Sequence, residues 1–440
     1  MPCAAACLAA LSGCATFSDT IQSTERSLAQ QQPKIALTEY EKLPASGSDK
    51  VLHLMNKGML LRMAGDYADS TQVLEQTKPL MEELSAVSVS EQALSVAVND
   101  ATKSFVGADF EQVAVRTYLA LNYLEQGNLD AARVEALQVD VLLREKTQAS
   151  PDSPYAEDAF ARYLTGIIYE DEREWSDAMI AYRKAYEAYQ KQVDTFGVPV
   201  PETLKHDLIR LADRMGLKEE ARRYRKEFGI KETMSVADLL EGGEVILTVH
   251  AGLAPIKRER AATVLNPATG RMLRIALPQY RARTQPFGYA SVSAGPESAR
   301  TSRVENIDAI AVKTLDAQMP GITARAIARM AVKDSMAAAA SRSGGGGGNS
   351  SSSAGPLLGL AVNIAAVLTE RADTRSWFTL PGEIHLARLP LPPGEYNLKI
   401  ELHGRDERVL GVSEIKVALR KGEKRYVSKH WIPTNLEVRP

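Results

Sequence analysis

Residues 166–185 read GIIYEDEREWSDAMIAYRKA. Gly166, Tyr169, Trp175, Ala178, Tyr182 and Ala185 recur at helical spacing on either side of a polar break. Small residues let two antiparallel helices approach closely, and aromatics fill the space between hairpins. Three other stretches follow the same plan. Gly58, Leu61, Gly65, Tyr67 and Leu74 form one, Ala120, Tyr123, Gly127 and Ala132 another, and Leu211, Gly216, Ala221 and Tyr224 the last. The pattern predicts an α-helical repeat domain over residues 34–230.

These segments resemble tetratricopeptide repeats, most specifically in the 166–185 stretch. The period departs from that family, because Ala132, Ala178 and Ala221 stand 46 and 43 residues apart, not the usual ~34. Stacked hairpins of this kind tend to form a concave face that binds another protein. The plainer alternative is helical core packing with no binding role.

The composition changes after Gly242-Gly243, and residues 231–243 are expected to be a hinge. EVILTVH at 244–250 reads as a buried strand bounded by glycine. Further strands are expected at 272–277, ending at Pro278, and at 383–388, 395–402, 408–417 and 424–429. Pro392-Pro393-Gly394 is a turn signal before the alternating run EYNLKIEL, and Lys421-Gly422-Glu423-Lys424 is a hairpin signal. Residues 244–440 therefore read as a small antiparallel β-sandwich. The run PPGEYNLKIEL is similar to modules on cell-surface proteins, which implies adhesion or spacing. A helical hairpin is inserted at about 320–371, with the Gly/Ser linker SGGGGGNSSSSAG inside 343–355 and an apolar second helix at about 356–371. The fold class is α+β, multidomain. Arg325, Arg329 and Lys333 are four apart and share one face of the first inserted helix. They form either a basic stripe toward lipid phosphate, peptidoglycan or an acidic partner, or a solvated outer face, and the second reading is preferred.

The three cysteines, Cys3, Cys7 and Cys14, all lie in the first 14 residues. Leu11-Ser12-Gly13-Cys14 closes an apolar run and resembles the lipobox of bacterial lipoproteins at all four positions. The resemblance implies a signal peptide over 1–13, cleavage before Cys14, diacylglycerol on its sulfur and an acyl chain such as palmitate on its amino group. Residues 14–33 would be the lipidated N-terminus and a linker. Residues 1–13 lack the Lys or Arg of a signal peptide, which points to a true start upstream. Ala15, in place of Asp, implies the outer membrane. More than one acyl chain is enough to hold a protein on a bilayer, and the longest apolar run, 356–368, falls short of the ~20 residues a spanning helix needs.

The 440 residues carry 53 basic and 55 acidic side chains, a net charge of −2, which gives no sign of a nucleic-acid binder. His53, His206, His250, His385, His403 and His430 show no metal-ligand spacing. The glycine run at 344–348 lacks a phosphate-loop ending, and no Gly-x-Ser-x-Gly elbow occurs. Acidic pairs such as Asp171-Glu172 and Glu219-Glu220 read as solvated helix faces. No catalytic, metal-binding or cofactor-binding residue is expected, no small-molecule substrate either, and the chain reads as a non-enzyme.

Three longer stretches carry a wider resemblance: GADFEQVAVRTYLALNYLEQGNLDAARVEA at 107–136, VHAGLAPIKRE at 249–259 and ADTRSWFTLPGEIHLARLPLPPGEY at 372–396. They are similar to an uncharacterised family of proteobacterial lipoproteins with repeats followed by a β-rich domain. The resemblance implies an envelope role without an activity. Arg375 and Trp377, in its most specific run, either bind a partner or lock the insertion onto the sandwich, and the latter is preferred. The expected function is a lipid-anchored periplasmic scaffold that binds envelope proteins through its repeats. A pilotin-like assembly factor and a cell-wall-modifying enzyme are the alternatives.

Overall fold

A computed structural model describes residues 16–45, 47–91, 103–266, 271–343, 360 and 370–436. Three short helices come first: α1 (Phe17–Thr20), α2 (Gln22–Ala29) and α3 (Pro33–Glu41). Eight longer ones follow as four antiparallel pairs. These are α4 (Lys50–Met63) with α5 (Tyr67–Glu91), α6 (Asp109–Glu125) with α7 (Leu129–Ala149), α8 (Ala159–Asp171) with α9 (Trp175–Phe196), and α10 (Glu202–Arg214) with α11 (Lys218–Phe228).

All four pairs turn in the same way. An amide reaches back five residues, from Asp66 to Leu61, Asn128 to Tyr123, Glu174 to Tyr169 and Leu217 to Ala212, at 2.8–3.0 Å. The residue before each amide must be left-handed. It is Gly65, Gly127 or Gly216 in three pairs and Arg173, at φ 62°, in the fourth. This shared bond sets the register between pairs. Gly58, Ala120 and Gly166 become equivalent, as do Ser70, Ala132, Ala178 and Ala221, which are all buried. A Cβ on Gly58 would stand 2.6 Å from Leu74, and one on Gly166 would overlap the Tyr182 ring. The helical half is thus tetratricopeptide-like in its packing. In the last pair the small position is Ile209, and Leu211 is one residue out of register with the leucine and tyrosines of the others.

After α12 (Val236–Glu241) the chain forms two four-stranded sheets. The first has the order β10 (Lys424–Trp431), β1 (Gly243–Ala251), β7 (Glu383–Leu391), β6 (Ser302–Asn306). The second has β5 (Glu297–Arg300), β4 (Phe287–Ala294), β8 (Gly394–Gly404), β9 (Val409–Leu419). Val245, Leu247 and Leu389 of the first meet Val292, Leu398 and Ile400 of the second in one core. The alternate residues Ile246, Ile384, Leu386 and Tyr426 point the other way, into the helical core. The first sheet is therefore covered on both faces. That is why Val245, Ile246, Leu247 and Val249 are apolar on both faces of β1, whereas the half-exposed β8 alternates. A separate hairpin, β2 (Ile256–Asn266) and β3 (Arg271–Arg281), packs on α13 (Ile307–Ser343).

Several expectations need correction. The region 14–33, read as a linker, is helical from Phe17, and Ile21 and Leu28 are buried against Leu253 and Phe378. The hinge 231–243 holds α12, capped by Ser235 and packed through Val236 and Leu239. The inserted helix starts at Ile307, where the Asn306 side chain accepts from the Ala309 amide at 3.1 Å, and runs through Pro320 for 37 residues. Pro278 lies within β3, which pairs with β2 alone among the described residues, so a missing amide on its other edge costs no ladder bond there. The sheets are not wholly antiparallel, because β10 runs parallel to β1. The turn at Lys421-Gly422 carries the chain from one sheet to the other rather than closing a hairpin, so β10 arrives in the direction of β1. The linker 343–355 and the second inserted helix at 356–371 fall almost wholly outside the described residues.

Candidate functional site

The first helix of each pair faces the first sheet. Asn56 of α4 accepts from the Thr379 hydroxyl at 2.9 Å, and Arg62 donates to Ser428 at 2.6 Å. On α6, Tyr118 lies 3.1 Å from His250 Nδ1 and Glu111 accepts from the Trp377 amide at 2.7 Å. Glu170 of α8 and Asp207 of α10 both take Arg388 of β7. The helical face on which stacked hairpins would receive a partner is occupied by the chain's own sheet.

Arg388 is the centre of that contact. It pairs with Asp207 at 2.7 Å, with Glu170 at 3.0 Å and with Glu244 of β1. Arg210 holds Glu170 and Asp207 from the helical side, and Lys424 holds Glu244 at 2.6 Å. The hydroxyls of Tyr182 and Tyr163 donate to Glu170 and Asp207. Burial alone would raise the Glu170 carboxyl, but Arg210 and Arg388 hold it well below the usual carboxylate range. Glu244 is likewise brought down to about 2 against its burial, by Arg388 and Lys424. Three cations meet three carboxylates, and the neighbouring void is about 20 Å³, too small for a substrate. The cluster is an electrostatic lock between halves.

The segment 370–380 is the second junction, and open space lies on both sides of it. Arg375 is clamped by Asp373 at 2.8 Å and by Asp49 at 2.7 Å, donates to the Lys103 carbonyl and lies over Phe105. Trp377 is buried edge-on to Tyr118, with ring centres 6.0 Å apart, and its indole N–H has no partner among the described residues. On one side a cavity of about 280 Å³ opens beside Thr16, Phe17, Tyr40 and His53. On the other a cavity of about 520 Å³ lies between the loop before α6, β2 and α13.

The predicted residues divide between these places. Arg325, Arg329 and Lys333 share one helix face, but that face is not a solvated one. Arg329 is buried, with Nε 3.4 Å from Glu370, Lys333 pairs with Glu370 at 2.7 Å, and Arg325 lines the larger cavity. Arg375 and Trp377 fasten the segment chiefly to the repeats, through Asp49, Glu111 and Tyr118, and not simply to the sheets. Cys14 lies outside the described residues. His250 and His430 are stacked at 4.5 Å, and burial pushes both well below the usual imidazole range. No group of three or more His, Cys, Asp or Glu that could hold a metal occurs among the described residues. Asp171 is not on a solvated face: it accepts from Tyr426 at 2.9 Å, and burial raises it to about 6. Sequence reasoning missed Arg388, Glu170, Asp207 and Glu244. The available signal was a charge set inside an apolar run, as in HLARLPL and EVILTVH.

No family model matches the chain, and no curated protein matches it. Among solved structures, a crystal structure of MamA overlaps 46% of this chain and 91% of its own, at 15% identity and a TM-score of 0.30. MamA 41-end from Desulfovibrio magneticus RS-1 overlaps 47% and 87%, at 16% and 0.28. MamA AMB-1 overlaps 49% and 93%, at 18% and 0.28. At that level of overlap, the repeat assignment stands on the turns and close contacts of this chain.

Proposed function

We propose that the chain is a protein-binding scaffold of the cell envelope, tethered by lipid on Cys14 to the periplasmic face of the outer membrane and without enzymatic activity. The observation that carries the binding role is an uncovered apolar stripe on the second helices. Val134, Leu137 and Val141 of α7 are 42–49% exposed and lie on one face. Ile180 of α9 adds to them, one turn before Lys184, which pairs with Asp140 of α7. Clustered exposed apolar side chains mark protein contact surfaces. With the first-helix face filled from within, a partner would meet this outer stripe instead. The tether rests on Leu11-Ser12-Gly13-Cys14. No helix among the described residues is long and apolar enough to cross a membrane. Confinement at a surface would raise the effective concentration of scaffold and partner.

The test uses the full-length chain in its bacterial host, with envelope proteins cross-linked and co-purified. Leu137→Asp is expected to lose the captured protein while keeping its membrane location and melting temperature. Cys14→Ala is expected to lose acyl labelling and move to the soluble fraction. An unchanged capture by Leu137→Asp, or unchanged membrane attachment of Cys14→Ala, sinks the corresponding half of this reading. Digestion of peptidoglycan by the purified chain would replace it with the cell-wall enzyme.

A further inference from the structure

We propose that the free end of the β2–β3 hairpin dips into the surface of a lipid bilayer and gives the chain a second contact with the membrane. The hairpin pairs with no other strand among the described residues. Near its end, Val264 and Leu265 of β2 are 58% and 64% exposed, and Met272 of β3 is 46% exposed. Residues paired across a hairpin share a face. Leu265 with Met272 therefore lies on one face, and Val264 with Leu273 on the other. Arg271 pairs with Asp334 of α13 at 3.2 Å, which brings Met336, also largely exposed, to the same end. Arg274, one step back, pairs with Glu259. The turn itself, 267–270, lies outside the described residues.

Single exposed apolar side chains are ordinary, but a cluster of them marks a contact surface. What covers this one follows from its shape. A strand covered on one face is apolar at alternate positions, and a strand covered on both is apolar at consecutive ones. Val264-Leu265 is consecutive, so the covering medium must close around the tip from both sides. A fluid hydrocarbon does this, whereas a folded partner would need a socket matched to it. Arg260 favours the same occupant. It is exposed and shares its face with Ala262 and Val264. Four residues of strand place it ~13 Å behind Val264. Interfacial segments bury their apolar side chains ~5–10 Å deep, so an inserted tip leaves the long Arg260 side chain among the phosphates. Behind the tip, that face continues as an apolar groove of about 460 Å³, along Ala262, Ile275 and Leu277 against Val312 and Leu315 of α13.

The start of the chain lies beside this hairpin. Arg258 of β2 donates to Ser18 and Asp19 of α1 at 3.3 and 3.0 Å. Thr16 is two residues from Cys14, at most ~7 Å of extended chain. A lipid on Cys14 would hold the hairpin close to a bilayer, where even a weak contact counts. The inference rests on the envelope location proposed above, but not on the acylation itself or on the outer apolar stripe. A few half-exposed side chains hold less well than an acyl chain, so a chain without its lipid still fractionates as soluble.

The experiment uses the full chain carrying Cys3→Ala, Cys7→Ala and Cys14→Ala, to which no lipid can be attached, so its outcome is separate from that of the tether. Leu265→Cys then carries an environment-sensitive dye, and the same dye on Arg222→Cys of exposed α11 is the control. Vesicles of phosphatidylethanolamine and phosphatidylglycerol are added at millimolar lipid. The dye at 265 should shift to the blue and be quenched at least twofold by nitroxide groups on the lipid chains, and the dye at 222 should do neither. With the dye moved to Met272→Cys, Val264→Asp together with Leu265→Asp should cut the quenching at least fivefold at an unchanged melting temperature, because both side chains are exposed. A dye at 265 that keeps its aqueous emission among the vesicles overturns the inference. So does quenching at 272 that survives the double change. A blue shift at 265 that needs no vesicles and grows with protein concentration also overturns it, and assigns the tip to a second copy of the chain.

Discussion

Arg388 shows how much a single side chain is asked to do at the seam between halves. Its guanidinium serves Glu170, Asp207 and Glu244 from a site closed to water. Burying such charges costs several kcal/mol per ion, so the cluster is better read as fixing which surfaces meet than as adding net stability. Asp171, beside it, is less well compensated. Its carboxyl has risen from 3.8 to about 6, chiefly through burial. A carboxyl raised on folding binds its proton more tightly in the folded state. Stability is therefore fullest below the unfolded value and is lost as pH rises through the folded one. Above about pH 6 the ionised, buried group destabilises the fold by about 2–3 kcal/mol. Asp171→Asn should recover that amount at pH 7.5 and nothing below about pH 4. Urea melts at the two pH values measure it, and an equal gain at both would contradict the assignment. Neither residue was legible as special. A charge in an apolar run signals burial, but its partners lie 144 to 218 positions away.

At the scale of elements the repeats were legible where geometry demanded one residue type. The left-handed turn selects Gly65, Gly127 and Gly216, and the close helix approach selects Gly58 and Gly166. Gly166→Ala should push Tyr182 away from Glu170 and lower stability by about 1–3 kcal/mol, as overpacking does. A thermal melt that shows no loss would mean that the pair tolerates a wider separation. The strands were found where their faces differ, as in β8, and where glycine bounds a buried run, as in β1. The run from β4 to β6 escaped because β4 is rich in small residues and β5 and β6 are only four and five residues long. The start of α13 escaped because Pro320-Gly321 looks like a beginning. In fact Asn306 caps the helix four turns earlier, and the helix absorbs one missing amide.

The whole molecule behaves as two halves that complete each other. Ile246, Ile384, Leu386 and Trp377 belong to the same buried cluster as the helices. Removing the repeats would expose that apolar face with Arg388 in its midst. Residues 243–436 alone should be insoluble or lack a cooperative melt, whereas co-expression with residues 16–230 should give a soluble pair that elutes together on size exclusion. A soluble, cooperatively melting β half on its own would show that the seam is dispensable. It also follows that a binding assay on the isolated repeats would probe a face the intact chain keeps covered.

Local pattern was enough for the helix pairs, their turns, most strands and the mixed α and β character of the fold, because those follow from local spacing and from conformations that only certain residues adopt. It also marked the 372–377 run and the Arg325 face as places of interest. Packing in three dimensions was needed to see that β10 joins β1 in parallel, that the repeats' inner face is filled from within, and that Lys103, Lys257, Arg325 and Arg375 line one cavity. These depend on how distant segments come together in three dimensions, and short-range pattern carries no record of that.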